Sequence, residues 1–184
     1  EFDHHPPYLR VVFSIDTDNY SKKQDRSYQS ETKELDFTGE RMVPGKADKA
    51  TELQHINRYR YVKDLVKDMI VLDVACGEGY GSNILAESAK RIIGVDISEE
   101  AINQASKKYI KENLSFKVMD AEELDFDDNY FDVVVSFETI EHLEKPYKSL
   151  KEVKRVLKPG GLFIVSTPNR DLASLGSPIP LNKF

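Results

Sequence analysis

Residues 71–82, reading VLDVACGEGYGS, constrain this chain more than any other stretch. A short apolar run reaches an acidic residue and breaks into a turn with glycines at 77, 79 and 81. Ile84, Leu85 and Ala86 then open a helix. Strand, glycine turn and helix in this order suit a nucleotide-cofactor site, because glycines let backbone N–H groups approach a ligand and a helix N-terminus receives an anionic group. The GxGxG spacing departs from the GxGxxG of dinucleotide binders, and Asp73 precedes Gly77 by four residues, where a phosphate would be repelled. A ligand with both an ammonium and a carboxylate fits better. Asp73 can face the ammonium while the helix end faces the carboxylate.

S-adenosylmethionine carries both groups. A glycine-rich turn by itself is equally an ordinary strand-to-helix connection, and the segments that follow it decide between the two. Arg91–Asp96 (RIIGVD) reads as a second buried strand whose terminal carboxylate lies roughly 20 residues after the glycines, where ribose hydroxyls are read. A third run, 116–119, is followed by Asp120, Ala121 and Glu122. Three successive strands thus end in acidic residues along one sheet edge, which is where ligands bind in open α/β sheets.

With these residues placed, the chain resembles the class I S-adenosylmethionine-dependent methyltransferases from about Phe37 to Asn169. VLDVACGEGYGS, GVDIS, MDAEEL, FDVVVSFETIEHLEKP and LKEVKRVLKPGGLFIVSTPN fall in the family's order. Alanine stands at position 75 where the family has glycine, which a negative φ would permit. The resemblance implies an α/β fold, a Rossmann-like doubly wound parallel sheet. Counted from the Val71 run, its order is 3-2-1-4-5, and the family's sixth and seventh strands are missing. It also implies that Asp73 and the backbone of Ala75, Gly77 and Gly79 hold the methionine part. Asp96 takes the ribose hydroxyls, Ile97 packs on the adenine, Asp120 accepts from the adenine amine, the Ala121 N–H donates to the ring, and Phe137 lies beside the sulfonium. Segments like GERMVP and HxxRY recur in relatives linked with glycan or sugar modification. By that likeness Arg58 is a candidate partner of the methionine carboxylate, with Arg60 behind it, and His55 is a candidate for the acceptor pocket.

The chemistry is expected after the fourth strand, 131–136. If Thr139–His142 starts a helical turn, Glu138, Glu141 and His142 share a face at i, i+3 and i+4. Two carboxylates and an imidazole can hold Mg²⁺, which would lower the pKa of an acceptor hydroxyl. This ExxEH pattern is similar to that of ubiquinone-biosynthesis O-methyltransferases and of small-RNA 3′-end 2′-O-methyltransferases, where it carries a metal. Alternatively His142 acts as general base without a metal, or Glu141 and His142 only cap and orient the loop.

Composition narrows the class further. The chain has 184 residues, 40% of them hydrophobic, which suits one domain with a core. A net charge of −6 argues against a dominant electrostatic affinity for nucleic acid or anionic lipid, so a small neutral or cationic acceptor is expected, and the likeness to glycan- and sugar-linked relatives implies a small-molecule or sugar one. The single cysteine, Cys76, excludes a disulfide framework and is expected to be loop packing. No apolar run reaches membrane-spanning length, so a cytoplasmic protein is expected.

Residues 1–36 read as an N-terminal extension and 37–184 as the methyltransferase domain, C-terminally truncated. The opening Glu-Phe reads as a cloning remnant or an internal fragment. Within the extension, 9–15 alternates like a half-buried strand and 16–34 is a polar arm. The fifth strand, 162–166, would leave an open edge, and 9–15 is the candidate to cover it. Residues 51–66 carry a helical pattern with Thr51 as cap. Residues 148–157 form an amphipathic helix, with Leu150, Val153, Val156 and Leu157 inward, closed by Pro159, Gly160 and Gly161. The expected function is methyl transfer from S-adenosylmethionine to a hydroxyl of a small-molecule or sugar acceptor. The alternatives are a non-catalytic S-adenosylmethionine-binding module and a nicotinamide-dependent oxidoreductase. The oligomeric state is not legible.

Overall fold

A computed structural model describes residues 10–12 and 49–167. Six strands form one sheet: β1 (Arg10–Val12), β2 (Ile70–Val74), β3 (Arg91–Asp96), β4 (Leu114–Val118), β5 (Phe131–Phe137) and β6 (Leu157–Ser166). Their order is β1-β6-β5-β2-β3-β4 and every pairing is parallel. The five strands from β2 onward therefore carry the expected 3-2-1-4-5 arrangement.

The helices are α1 (Lys49–Val62), α2 (Tyr80–Leu85), α3 (Glu99–Lys108) and α4 (Pro146–Val156). They leave the central strands covered on both faces, which is why those strands read as continuous apolar runs. Alternation along each strand divides the core in two. Val71, Ile92, Val133 and Val135 join Tyr59, Val62, Val66 and Leu85 on one side of the sheet. Their neighbours Leu72, Ile93 and Val134 join Phe131, Val153 and Val156 on the other.

Arg10–Val12 pairs in register with Phe163, Ile164 and Val165, so the edge of β6 is covered from within the chain, as its unpaired backbone groups require. The rest of the 9–15 segment, the polar arm 16–34, the GERMVP segment and the tail after Thr167 lie outside the described residues.

Three expectations are corrected. The first helix begins at Lys49, so Thr51 lies inside it and is not its cap, and its last turn, Lys63–Val66, is a 3₁₀ helix. Leu150 on α4 is exposed while Val153 and Val156 are buried. Finally, Pro159-Gly160-Gly161 does not close a helix ahead of a later strand. The helix stops at Val156 and β6 runs from Leu157, with Phe131 opposite Leu157 and Val133 opposite Leu162. The extra residues form a bulge, which Gly160 accommodates at φ 78°.

Candidate functional site

The glycine turn follows β2, whose penultimate residue Asp73 is fully buried. Tyr59 OH donates to its Oδ1 at 3.2 Å and Ser82 Oγ to its Oδ2 at 2.6 Å. Burial pushes this carboxyl up to about 7, with the Asp96 charge adding to the rise and the two hydrogen bonds opposing it. Asp73 therefore braces α1 against α2 from beneath the turn, and ligand contacts near it run through the turn backbone or through these partners.

Two of the glycines answer to packing. A Cβ on Gly81 would sit 2.1 Å from the Tyr59 ring, and one on Gly79 would sit 2.5 Å from Phe116 in addition to needing φ 76°. The Gly77 N–H donates to Asp96 Oδ2 at 2.9 Å, linking the turn to the end of β3. Ala75 has φ 58°, not the negative value that would make alanine equivalent to glycine there. Ala75→Gly is accordingly expected to raise folding stability by about 1 kcal/mol in urea unfolding, and a loss of stability would show that the turn prefers a side chain. Cys76 is buried in this turn, and burial pushes its thiol well up, which leaves it an inert packing group.

A cleft of about 90 Å³ opens beside the turn, lined by Ala75, Asp96, Ile97, Met119, Asp120, Ala121, Thr139 and Leu143. It follows the carboxyl ends of β2, β3 and β4, so the residues expected to read adenine and ribose are brought together. Asp96 sits at its wall with Oδ1 accepting from the Ser98 N–H at 2.9 Å. Ile97 is 71% exposed, an apolar side chain offered to the cleft. Asp120 is fixed through Oδ1, which accepts from the Glu122 N–H at 2.8 Å. The loop after β4 is tied down by Arg155 on α4, which donates to the carbonyls of Phe126 and Leu124 at 2.6 Å each. Met119, Thr139 and Leu143 were not singled out from sequence. Met119 directly precedes the Asp120 that was, and adjacency was the signal available.

Residues of α1 pack over the turn, with Tyr59 against Gly81 and Asp73. Phe137 packs edge-on to Tyr59 at 4.9 Å between ring centroids. Arg58 Nη2 lies 3.5 Å from Glu138 Oε1, and Arg58 Nη1 is buried with no hydrogen-bond partner. Arg60 is exposed. Tyr80 OH and His55 Nδ1 are 3.4 Å apart, and burial, helped by Arg58, lowers the His55 pKa.

The expected metal constellation is not assembled. Glu138 has φ 51°, which is not helical, and Ile140–His142 is a single 3₁₀ turn, so residues 138, 141 and 142 do not share a face as an α-helical turn would place them. Glu138 Oε1 accepts from Ser166 Oγ at 2.8 Å and faces the Arg58 guanidinium, whose charge opposes a cation there. Glu141 Oε2 accepts from Thr167 Oγ1 at 3.1 Å, and the His142 side chain is 60% exposed. Among the described residues no three His, Cys, Asp or Glu side chains are placed to hold a metal ion. His142 Nε2 lies 4.0 Å from Glu141 Oε1, and burial raises the Glu141 pKa.

Known proteins share this architecture. The family described as Methyltransferase domain matches residues 72–165, from β2 to the end of β6. A Mycolicibacterium smegmatis protein described as a probable S-adenosylmethionine-dependent methyltransferase is 38% identical over 151 residues, covering 82% of this chain and 58% of that one. The ubiquinone biosynthesis O-methyltransferase of Coxiella burnetii is 34% identical over 131 residues, covering 68% and 56%. A crystal structure of a Pyrococcus horikoshii protein superposes with a TM-score of 0.61 at 36% identity, covering 71% of this chain and 64% of that one. The chain belongs to the class I S-adenosylmethionine-dependent methyltransferases. It spans somewhat more than half the length of the curated relatives it matches. Among the described residues no helix is long and apolar enough to cross a membrane.

Proposed function

We propose that this chain binds S-adenosylmethionine in the cleft beside the glycine turn and transfers its methyl group to a hydroxyl of a small-molecule or sugar acceptor. The observation that carries the reading is the cleft lining, in which Asp96, Ile97, Asp120 and Ala121 converge beside the backbone of Ala75. Asp96 accepts from the ribose hydroxyls with the lone pairs its two backbone donors leave over, and Ile97 covers the adenine face. Asp120 and the Ala121 N–H read the adenine edge. The backbone of Ala75, Gly77 and Gly79, with Asp73 behind it, cradles the methionine part, Phe137 lines the sulfonium end, and Arg58 receives the carboxylate. When bound, the sulfonium supplies a methyl group that is already activated. The residues of this chain therefore have to align the acceptor and exclude water. His142, steadied by Glu141, takes the acceptor proton from the rim of the site. A hydroxyl acceptor is supported by the likeness to the Coxiella O-methyltransferase, a small neutral one by the net charge of −6, and a cytoplasmic setting by a single cysteine that is a buried thiol.

Asp96→Ala tests the cofactor assignment. It should weaken S-adenosylhomocysteine binding by roughly 1–3 kcal/mol in calorimetry, because ligand hydroxyls lose a charged acceptor and Gly77 and Ser98 lose their clamp. Unchanged affinity would remove Asp96 from the site.

A further inference from the structure

We propose that Glu138 is a positioning residue, which holds the Arg58 guanidinium so that its unpartnered edge receives the carboxylate of the cofactor's amino-acid end. The inference rests on the S-adenosylmethionine reading of the cleft and assigns Glu138 a role other than metal ligand or proton acceptor.

Glu138 follows β5 in a left-handed conformation, φ 51°, which a non-glycine residue keeps only where its surroundings impose it. Two bonds to the end of β6 do so. The Glu138 N–H donates to the Ser166 carbonyl at 2.9 Å, and Ser166 Oγ donates to Glu138 Oε1 at 2.8 Å. The same Oε1 faces Arg58 Nη2 at 3.5 Å. The Arg58 side chain is only 17% exposed, and its Nη1 is enclosed without any acceptor.

A buried guanidinium nitrogen without an acceptor is costly, and a carboxylate is the group its planar fork suits. Arg58 also stands at the correct end of the site. It precedes Tyr59, whose ring contacts Phe137 and whose hydroxyl reaches Asp73. His55, the other polar group of α1 here, is half-buried beside Arg58 and Glu138 and is engaged with Tyr80. One side of Arg58 is thus pinned by Glu138 and the sheet, and the other is left for a ligand anion. Entry of that anion requires a local shift of α1, while the Glu138–Ser166 bonds stay with the sheet.

S-adenosylhomocysteine has the amino-acid carboxylate and 5′-methylthioadenosine lacks it, so the pair isolates this contact. Glu138→Gln keeps the side-chain shape and removes the charge that holds Arg58. In calorimetric titrations, Glu138→Gln should weaken S-adenosylhomocysteine binding at least tenfold and leave 5′-methylthioadenosine within about twofold, with the same thermal midpoint as wild type. Ser166→Ala should give the same selective loss to a smaller degree. Equal weakening of both ligands would assign Glu138 a general structural role. No change, or tighter binding of S-adenosylhomocysteine, would show that Glu138 does not position Arg58 or competes with the ligand for it. Each of these results overturns the proposal. If wild type binds neither compound, the cofactor reading itself fails and the inference falls with it.

Discussion

Between pH 8 and pH 5 folding stability is expected to rise by roughly 3 kcal/mol through Asp73 alone, and Asp73→Asn is expected to abolish that component. Burial pushes the Asp73 carboxyl up from its ordinary 3.8 to about 7. The folded chain therefore keeps a proton over a range where the unfolded chain has lost it. Stability from this group is fully present below the unfolded value and is lost as pH rises through about 7. His55 works in the opposite sense, since burial and Arg58 depress its pKa and its contribution is lost as pH falls. Both proteins contain His55, so the difference between their urea unfolding free energies at each pH isolates Asp73. A difference that does not vary with pH would mean that Asp73 titrates normally and that the Tyr59–Asp73–Ser82 contact is more hydrated than its geometry implies.

His142→Ala is expected to lower methyl transfer by about 10²–10⁴-fold while leaving S-adenosylhomocysteine affinity nearly intact. The basis is position. The imidazole is 60% exposed, its Nε2 lies 4.0 Å from Glu141, and neither side chain lines the cleft beside the turn. On the proposed reading, an acceptor hydroxyl at the rim would meet His142 without disturbing the cofactor. Activity should also survive EDTA, because Glu138 is committed to Ser166 and Arg58. Parallel losses of turnover and cofactor affinity would indicate that His142 shapes the loop, and EDTA-sensitive turnover would contradict the geometry of Glu138.

The sheet was legible where apolar runs have sharp polar ends. Arg91–Asp96 is bounded by charged residues and folds as read, and 131–136 extends by one residue to Phe137. The strand order was implied by the family resemblance, and the alternation of 9–15 made it the candidate for the edge of β6, where Arg10–Val12 pairs. Residues 157–161 misled because Pro-Gly-Gly signals a turn in a local reading, and only pairing with Phe131 and Val133 shows it to be a bulge within a strand. That Asp96, Asp120 and Ala121 line one cleft was legible because they follow the carboxyl ends of successive strands. The glycine motif was legible as a turn, but the collisions of Gly79 with Phe116 and Gly81 with Tyr59 depend on residues at least 20 positions away, which no local pattern reveals. The Glu138, Glu141 and His142 spacing suggested one helical face. A left-handed φ at Glu138 and a 3₁₀ turn after it sent Glu138 to Ser166 and Arg58 and Glu141 to Thr167, and backbone conformation at a single residue is not readable from spacing.

Calorimetric titration of the wild-type chain with S-adenosylhomocysteine and, separately, with NAD tests whether the cleft along β2, β3 and β4 is an S-adenosylmethionine site. Saturable one-to-one binding of S-adenosylhomocysteine is expected, with no heat of binding from NAD, since Asp73 and the GxGxG turn disfavour a pyrophosphate. Binding of NAD with no binding of S-adenosylhomocysteine would contradict the assignment.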